Sequence, residues 1–160
     1  MAQKIVPCLW YDHDGEEAAR FYVTLLPDSR IEKVVRASAD TPAGPEGYVM
    51  LVEFTLAGQR YVALNGGPMF KHSEAVSFMI VTEDQAETDR LWDAIVGHGG
   101  EESACGWCKD KWGVSWQITP RRLLELTGSE DRDRARRAME AMMRMRRIDI
   151  AAVERAAAGA

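Results

Sequence analysis

The sequence predicts an α+β fold in which two βαβββ modules form a cupped mixed sheet, with helices added at the C-terminus. Three observations predict it. The chain matches itself at an offset of 70 residues, each half runs from an extended apolar segment into a helix start, and each helix is followed by three strand-like runs. The expected layout is a paired domain over residues 1–128, with modules at about 1–68 and 74–120. A helical extension over 129–160 then packs on the domain or on a dimer partner.

The offset superposes Val6 on Val76, Asp14 on Asp84, Glu17 on Glu87 and Arg20 on Arg90. The first strands are read at 5–10 and 76–81. Asp14 and Asp84 are each followed three residues on by Glu, so each is expected to cap a helix while the Glu reaches back, as in a capping box. The first helix carries Ala18, Phe21, Tyr22, Leu25 and Leu26 on one stripe, and the second carries Thr88, Leu91, Trp92, Ile95 and Val96. Pro27-Asp28 stops the first and His98-Gly99-Gly100 the second.

Three strands are expected after each helix: 31–38, 48–56 and 60–65 in the first module, and about 101–105, 107–111 and 114–119 in the second. Pro- and Gly-rich residues 41–47 and the turn Ala57-Gly58-Gln59 separate those of the first module. Beyond them, Pro120 starts a short helix through Leu123, Leu124 and Leu126 that stops at Gly128. Ser129 is read as the cap of a longer helix with Ala135, Ala138, Met139, Met142 and Met143 on one stripe, and 149–160 as an alanine-rich helical tail.

Composition narrows the function classes. The 160 residues are 46% hydrophobic and 28% charged, enough for one real core, and no apolar run nears the ~20 residues that span a bilayer. The N-terminus leads straight into a strand with no cleavage signal, and three sparse cysteines suit a reducing compartment, so a cytoplasmic location is expected. A net charge of -5 gives no pull toward nucleic acid. Seven Arg against four acidic residues between 130 and 147 suggest either a nucleic-acid-binding or calmodulin-target-like helix or, with the Met stripe, core and subunit contact beneath a solvated face.

Several segments carry a family resemblance: residues 5–11, Phe21-Tyr22, 27–31, 53–56, 63–68, 105–107 and 115–118. Over nearly the whole chain they resemble the PhnB-like family of the vicinal oxygen chelate superfamily, which also holds glyoxalase I, bleomycin-resistance proteins and extradiol dioxygenases. Chains of this kind are often labelled demethylubiquinone methyltransferase-like. The resemblance implies metal positions on the first and last strands of each half, and these fall on Pro7, Asn65, Ser77 and Gln117. A prolyl ring, a hydroxyl and two amides make no cage for a transition metal, so the centre reads as vacant and no cofactor is expected.

If those positions face inward, strand alternation brings Leu9, Tyr61, Ala63, Met79, Val81, Ser115 and Thr119 to the same face. Cys8, Trp10, Phe78, Ile80, Trp116 and Ile118 then pack under the helices. The expected ligand contacts are Leu9, Tyr61, Asn65, Ser77, Met79, Trp107 and Gln117, a half-apolar, half hydrogen-bonding lining suited to a small uncharged or weakly polar molecule. Cys105 beside Trp107 is a candidate nucleophile. Cys108 completes a C-x-x-C, but strand and turn follow where a redox pair needs a helix, and in an extended chain the two sulfurs point to opposite faces; the resemblance implies an apolar residue at 108, so Cys108 reads as a small core substitute. Glu53, Lys109 and Asp110 are acid-base candidates if buried together, or, for Lys109 and Asp110, a solvated pair at a turn. The leading expectation is a metal-free small-molecule-binding homodimer. The alternatives are an enzyme on a small metabolite (a glyoxalase- or dioxygenase-like lyase or oxidoreductase, or the methyltransferase of the family label) and an interaction module built on the C-terminal helix.

Overall fold

A computed structural model describes residues 3–159. Residues 1, 2 and 160, which the sequence reading assigns to the first module and the helical tail, lie outside the described residues. The chain divides into two compact units, Met1–Lys71 and His72–Ala160. Each closes its own four-stranded mixed sheet, so the paired βαβββ pattern is realised as two sheets of like order.

In the first unit, β1 (Cys8–Tyr11), α1 (Gly15–Tyr22), β2 (Arg30–Arg36), β3 (Val49–Leu56) and β4 (Gln59–Asn65) form a sheet of order β1-β4-β3-β2. β1 runs parallel to β4 and the other pairs are antiparallel, the geometry a helical crossover followed by a meander produces. α1 lies over Tyr11, Val52, Phe54 and Ala63; Phe54 stacks on Tyr61 and lies 6.1 Å from the Tyr22 ring. The helix is shorter than its stripe: it ends at Tyr22, and Leu25, 2% exposed, is buried from the turn that follows.

In the second unit, β5 (Ser77–Thr82), α2 (Gln85–Gly97), β6 (Glu101–Glu102), β7 (Trp107–Lys109) and β8 (Ser115–Pro120) repeat the order as β5-β8-β7-β6. α2 buries Thr88, Leu91, Trp92 and Ile95, the face its sequence stripe marks. Its start resembles a capping box shifted by one residue: the N-cap Asp84 accepts from the Glu87 backbone N–H at 2.8 Å, and Glu87 reaches past it to accept from the N–H of Glu83 at 2.8 Å. Three helices follow, α3 (Arg121–Thr127), α4 (Arg132–Met142) and α5 (Ile150–Ala158), which bury Leu123, Leu126, Ala138, Ile148, Val153 and Ala157 together. The cap of α4 is Asp131, not Ser129; its carboxylate accepts from the backbones of Asp133 and Arg134 at 3.1 Å each. No helix among the described residues is long and apolar enough to cross a membrane.

The repeat has one irregularity with large effects. Both aspartates hold N-cap positions, so the helices keep the offset of 70. The strands do not. Tyr11, whose hydroxyl meets that of Tyr22, corresponds to Thr82, whose hydroxyl meets that of Thr88, an offset of 71. The extra residue sits between β1 and α1, where residues 12–13 stand against Glu83 alone. A slip of one residue turns every side chain of a strand to the other face.

Candidate functional site

The face of the second sheet opposite α2 carries Ser77, Met79, Trp107 and Gln117, four of the seven expected ligand contacts, and strand register sets them in rows. Ser77, Ser115 and Lys109 stand side by side on β5, β8 and β7; Met79, Gln117 and Trp107 form the next row; Val81 and Thr119 the third. Their alternates Phe78, Ile80, Cys108, Trp116 and Ile118 pack toward α2, as the sequence alternation requires.

The first row is polar. Lys109 Nζ lies 2.5 Å from Glu74 Oε1. The Glu74 hydrogen bond holds the lysine above its ordinary pKa, and Lys109 in turn holds the Glu74 carboxyl below its own. Ser115 is 1% exposed, and its Oγ has no hydrogen-bond partner among the described residues. In the second row Gln117 Nε2 donates to Ser77 Oγ at 2.9 Å, which leaves Gln117 Oε1 as an acceptor and the Ser77 hydroxyl hydrogen to donate. Beside them Met79 and Val81 are 48% and 38% exposed, an apolar surface next to a neutral hydrogen-bonding one.

In the first unit the extra residue before α1 reverses the expected faces. Leu9, Tyr61 and Asn65 lie on the α1 side, and Cys8 and Trp10 on the other, where Trp10 Nε1 donates to the Gly67 carbonyl at 2.8 Å. Asn65, 3% exposed, accepts the Gly15 N–H on Oδ1 at 2.8 Å and donates Nδ2 to the Val49 carbonyl at 2.9 Å. Asp14 makes no side-chain capping bond to α1; the cap comes from Asn65. These three residues therefore serve the core of the first module, which corrects their placement in a ligand lining.

The catalytic candidates are not brought together. Glu53 is on the first sheet, 3.5 Å from Arg60. Asp110 is no solvated partner of Lys109: it is 4% exposed, and its carboxylate accepts from the backbones of Trp112 and Val114 at 2.9 and 3.0 Å and from Trp116 Nε1 at 2.9 Å. It anchors the β7–β8 turn. The strand expected over 101–105 stops at Glu102, and Cys105 stands in a left-handed turn at φ 59°, its N–H donating to the Met145 carbonyl. Cys108 is 1% exposed; burial, then the charges of Asp110 and Glu102, push its thiol pKa up to about 12. Both are free thiols.

The four implied metal positions do not fit a metal. Pro7 has no side-chain donor, and its carbonyl accepts from Val62 N–H at 2.9 Å. Asn65 has both amide atoms committed on the α1 side, and Ser77 and Gln117 bond each other. Among the described residues no three His, Cys, Asp or Glu side chains converge on one point. What the sequence reading missed is Glu74. It lies in a turn before β5, outside any periodic pattern, and nothing short of the fold marks it as the partner of Lys109.

Comparison with known proteins gives one family match. The family model described as 3-demethylubiquinone-9 3-methyltransferase matches residues 3–119. No curated protein matches significantly. Among solved structures, a PhnB protein from Bacillus cereus is 31% identical, with a TM-score of 0.66 over 74% of this chain and 99% of that one. A Pseudomonas aeruginosa protein shares the fold at 18% identity and a TM-score of 0.61, over 74% of this chain and 98% of that one. A glyoxalase/bleomycin resistance protein from Albidiferax ferrireducens matches more distantly, at 15% identity and a TM-score of 0.48, over 74% and 99%.

Proposed function

The chain belongs to the family described as 3-demethylubiquinone-9 3-methyltransferase, and from the side chains on its second sheet we propose that it binds a small metabolite there without a metal. One observation carries this reading. The Ser77–Gln117 pair offers a free acceptor and a free donor to a ligand lying on Met79 and Trp107. The donor set at the implied metal positions supports the metal-free part, since none supplies an imidazole, thiolate or carboxylate.

Binding is favoured over methyl transfer. The strand-to-helix connections, Asp12-His13-Asp14 and Glu83-Asp84, carry no glycine-rich turn that would let a nucleotide-like methyl donor approach the backbone closely. Three free cysteines fit a reducing, cytoplasmic setting. Exposed Leu124, Met139 and Met143, at 42%, 45% and 56%, support burial of the C-terminal helices in a homodimer.

Native mass spectrometry of the protein purified from cells tests the reading. A metabolite-sized adduct on a dimer is expected, absent from the Gln117→Leu variant. A stoichiometric zinc, nickel or iron, or an adduct indifferent to Gln117→Leu, overturns it.

A further inference from the structure

We propose that the Lys109–Glu74 ion pair is a displaceable strap over an anion subsite, and that the ligand of this face is a small monocarboxylate with an apolar body whose acid group takes the place of Glu74. This rests on the reading of the face as the ligand site and names what that site selects.

The geometry has four parts. β8 lies between β5 and β7, and register aligns Ser77, Ser115 and Lys109 across the three strands. Glu74 precedes β5 by three residues, so its contact with Lys109 joins the entry to β5 with the end of β7 past the start of β8. There the Ser115 hydroxyl is buried without a partner, a cost that an arriving acceptor removes. Opening the pair frees an ammonium on the strand next to Ser115, with Ser77 one strand further on and apolar Met79, Val81 and Trp107 on the next rows. The face thus grades from charge to hydrocarbon over about 13 Å, two same-face repeats of the strand.

Charge selects the anion. Glu74 is itself a carboxylate seated on Lys109, so the subsite already displays the geometry it would accept. Glu101, opposite Lys109 on β6, leaves too little positive charge for a dianion. The strap is weak: the Glu74 side chain is 62% exposed and sits in a turn, and an exposed ion pair is displaced at a cost of only a factor of a few in affinity.

Benzoate and its neutral isostere benzamide, titrated by calorimetry into the full chain with the Trp107 indole resonance as locator, test the proposal. Glu74→Gln should tighten benzoate about threefold to fivefold by removing the internal competitor. Lys109→Met should weaken it about tenfold or more. Benzamide should move less than about twofold in both, while Gln117→Leu weakens both probes. Joint reversal, Glu74→Lys with Lys109→Glu, should abolish the preference for benzoate over benzamide. Equal responses of the two probes to Lys109→Met overturn the anion subsite while leaving the ligand face standing. Loss of neither probe with Gln117→Leu, or no benzoate binding by the native chain or Glu74→Gln, overturns both.

Discussion

Asn65, the last residue of β4, accepts the backbone N–H of Gly15, the first residue of α1, at 2.8 Å. The residue nearest in sequence with the right chemistry, Asp14, does not do this. A helix start normally finds its cap one residue upstream. Here a neighbouring strand supplies it, and the same amide ties back to Val49 on β3 through Nδ2. Asn65 thus joins β1's crossover, the helix and the sheet at one buried point.

Replacing Asn65 with Ala should cost about 2–4 kcal/mol, the sum of a lost cap and a second buried hydrogen bond whose carbonyl is left unpaired. Asp14→Ala should cost under about 0.5 kcal/mol, since no side-chain cap is lost. Urea denaturation of both variants checks the pair; equal losses would return the capping role to Asp14. Because Asn65 lies on the α1 side, binding at the second sheet should be unchanged.

The same position shows what the sequence could and could not disclose. Element type and order were legible, because Thr88, Leu91, Trp92 and Ile95 keep a strict helical period and β8 keeps its alternation. The faces of β5 and β8 were legible for that reason, which is why Ser77, Met79 and Gln117 stand together. The faces of β1 and β4 were not. The ungapped repeat is anchored by helix residues and silently carried across a connection longer by one residue, which inverted Leu9, Tyr61 and Asn65. Asp110 and Glu74 escaped for a different reason: turn carboxylates owe their partners to the fold, and no local pattern records which backbone groups they will meet.

Asp110 gives the second prediction. Its buried carboxylate satisfies three N–H donors, so Asp110→Ala should leave them unpaired and cost about 3 kcal/mol or more. Asp110→Asn keeps one acceptor and should cost less. A change in the near-ultraviolet circular dichroism should accompany the loss, since the Trp116 indole loses its partner. An Asp110→Ala protein as stable as the native one would show that the turn does not depend on the carboxylate.

Gly106 carries the third. At φ 81° its backbone is left-handed, an added Cβ would stand 2.9 Å from the Ile118 carbonyl oxygen, and its N–H donates to Arg146 at 2.7 Å. Together with Cys105 this turn holds the segment before α5 against the sheet. Gly106→Ala should therefore destabilise by about 2 kcal/mol and speed amide exchange first over residues 144–150. Exchange that rises evenly through the second unit would refute a local docking role.

Cys108 gives a prediction that separates burial from reactivity. Its thiol titrates near 12 in the folded protein, against the ordinary 8.5 of an exposed cysteine. The folded state therefore holds the proton more tightly than the unfolded chain. The stability this contributes is complete below about pH 8.5 and is lost as pH rises toward 12, at up to about 1.4 kcal/mol per pH unit. Other groups titrate in the same range, so the informative quantity is the difference between the native chain and Cys108→Ala. That variant loses about 1 kcal/mol of packing at pH 7, and the deficit should vanish near about pH 9 and reverse by about pH 10.5, where the variant becomes the more stable of the two. In step with this, iodoacetamide at pH 8 should modify Cys8 before Cys108, because alkylation needs a thiolate and Cys8 is exposed. A deficit constant with pH, or Cys108 modified as fast as Cys8, would mean that the β7 strand opens to solvent far more readily than its packing against Trp116 implies.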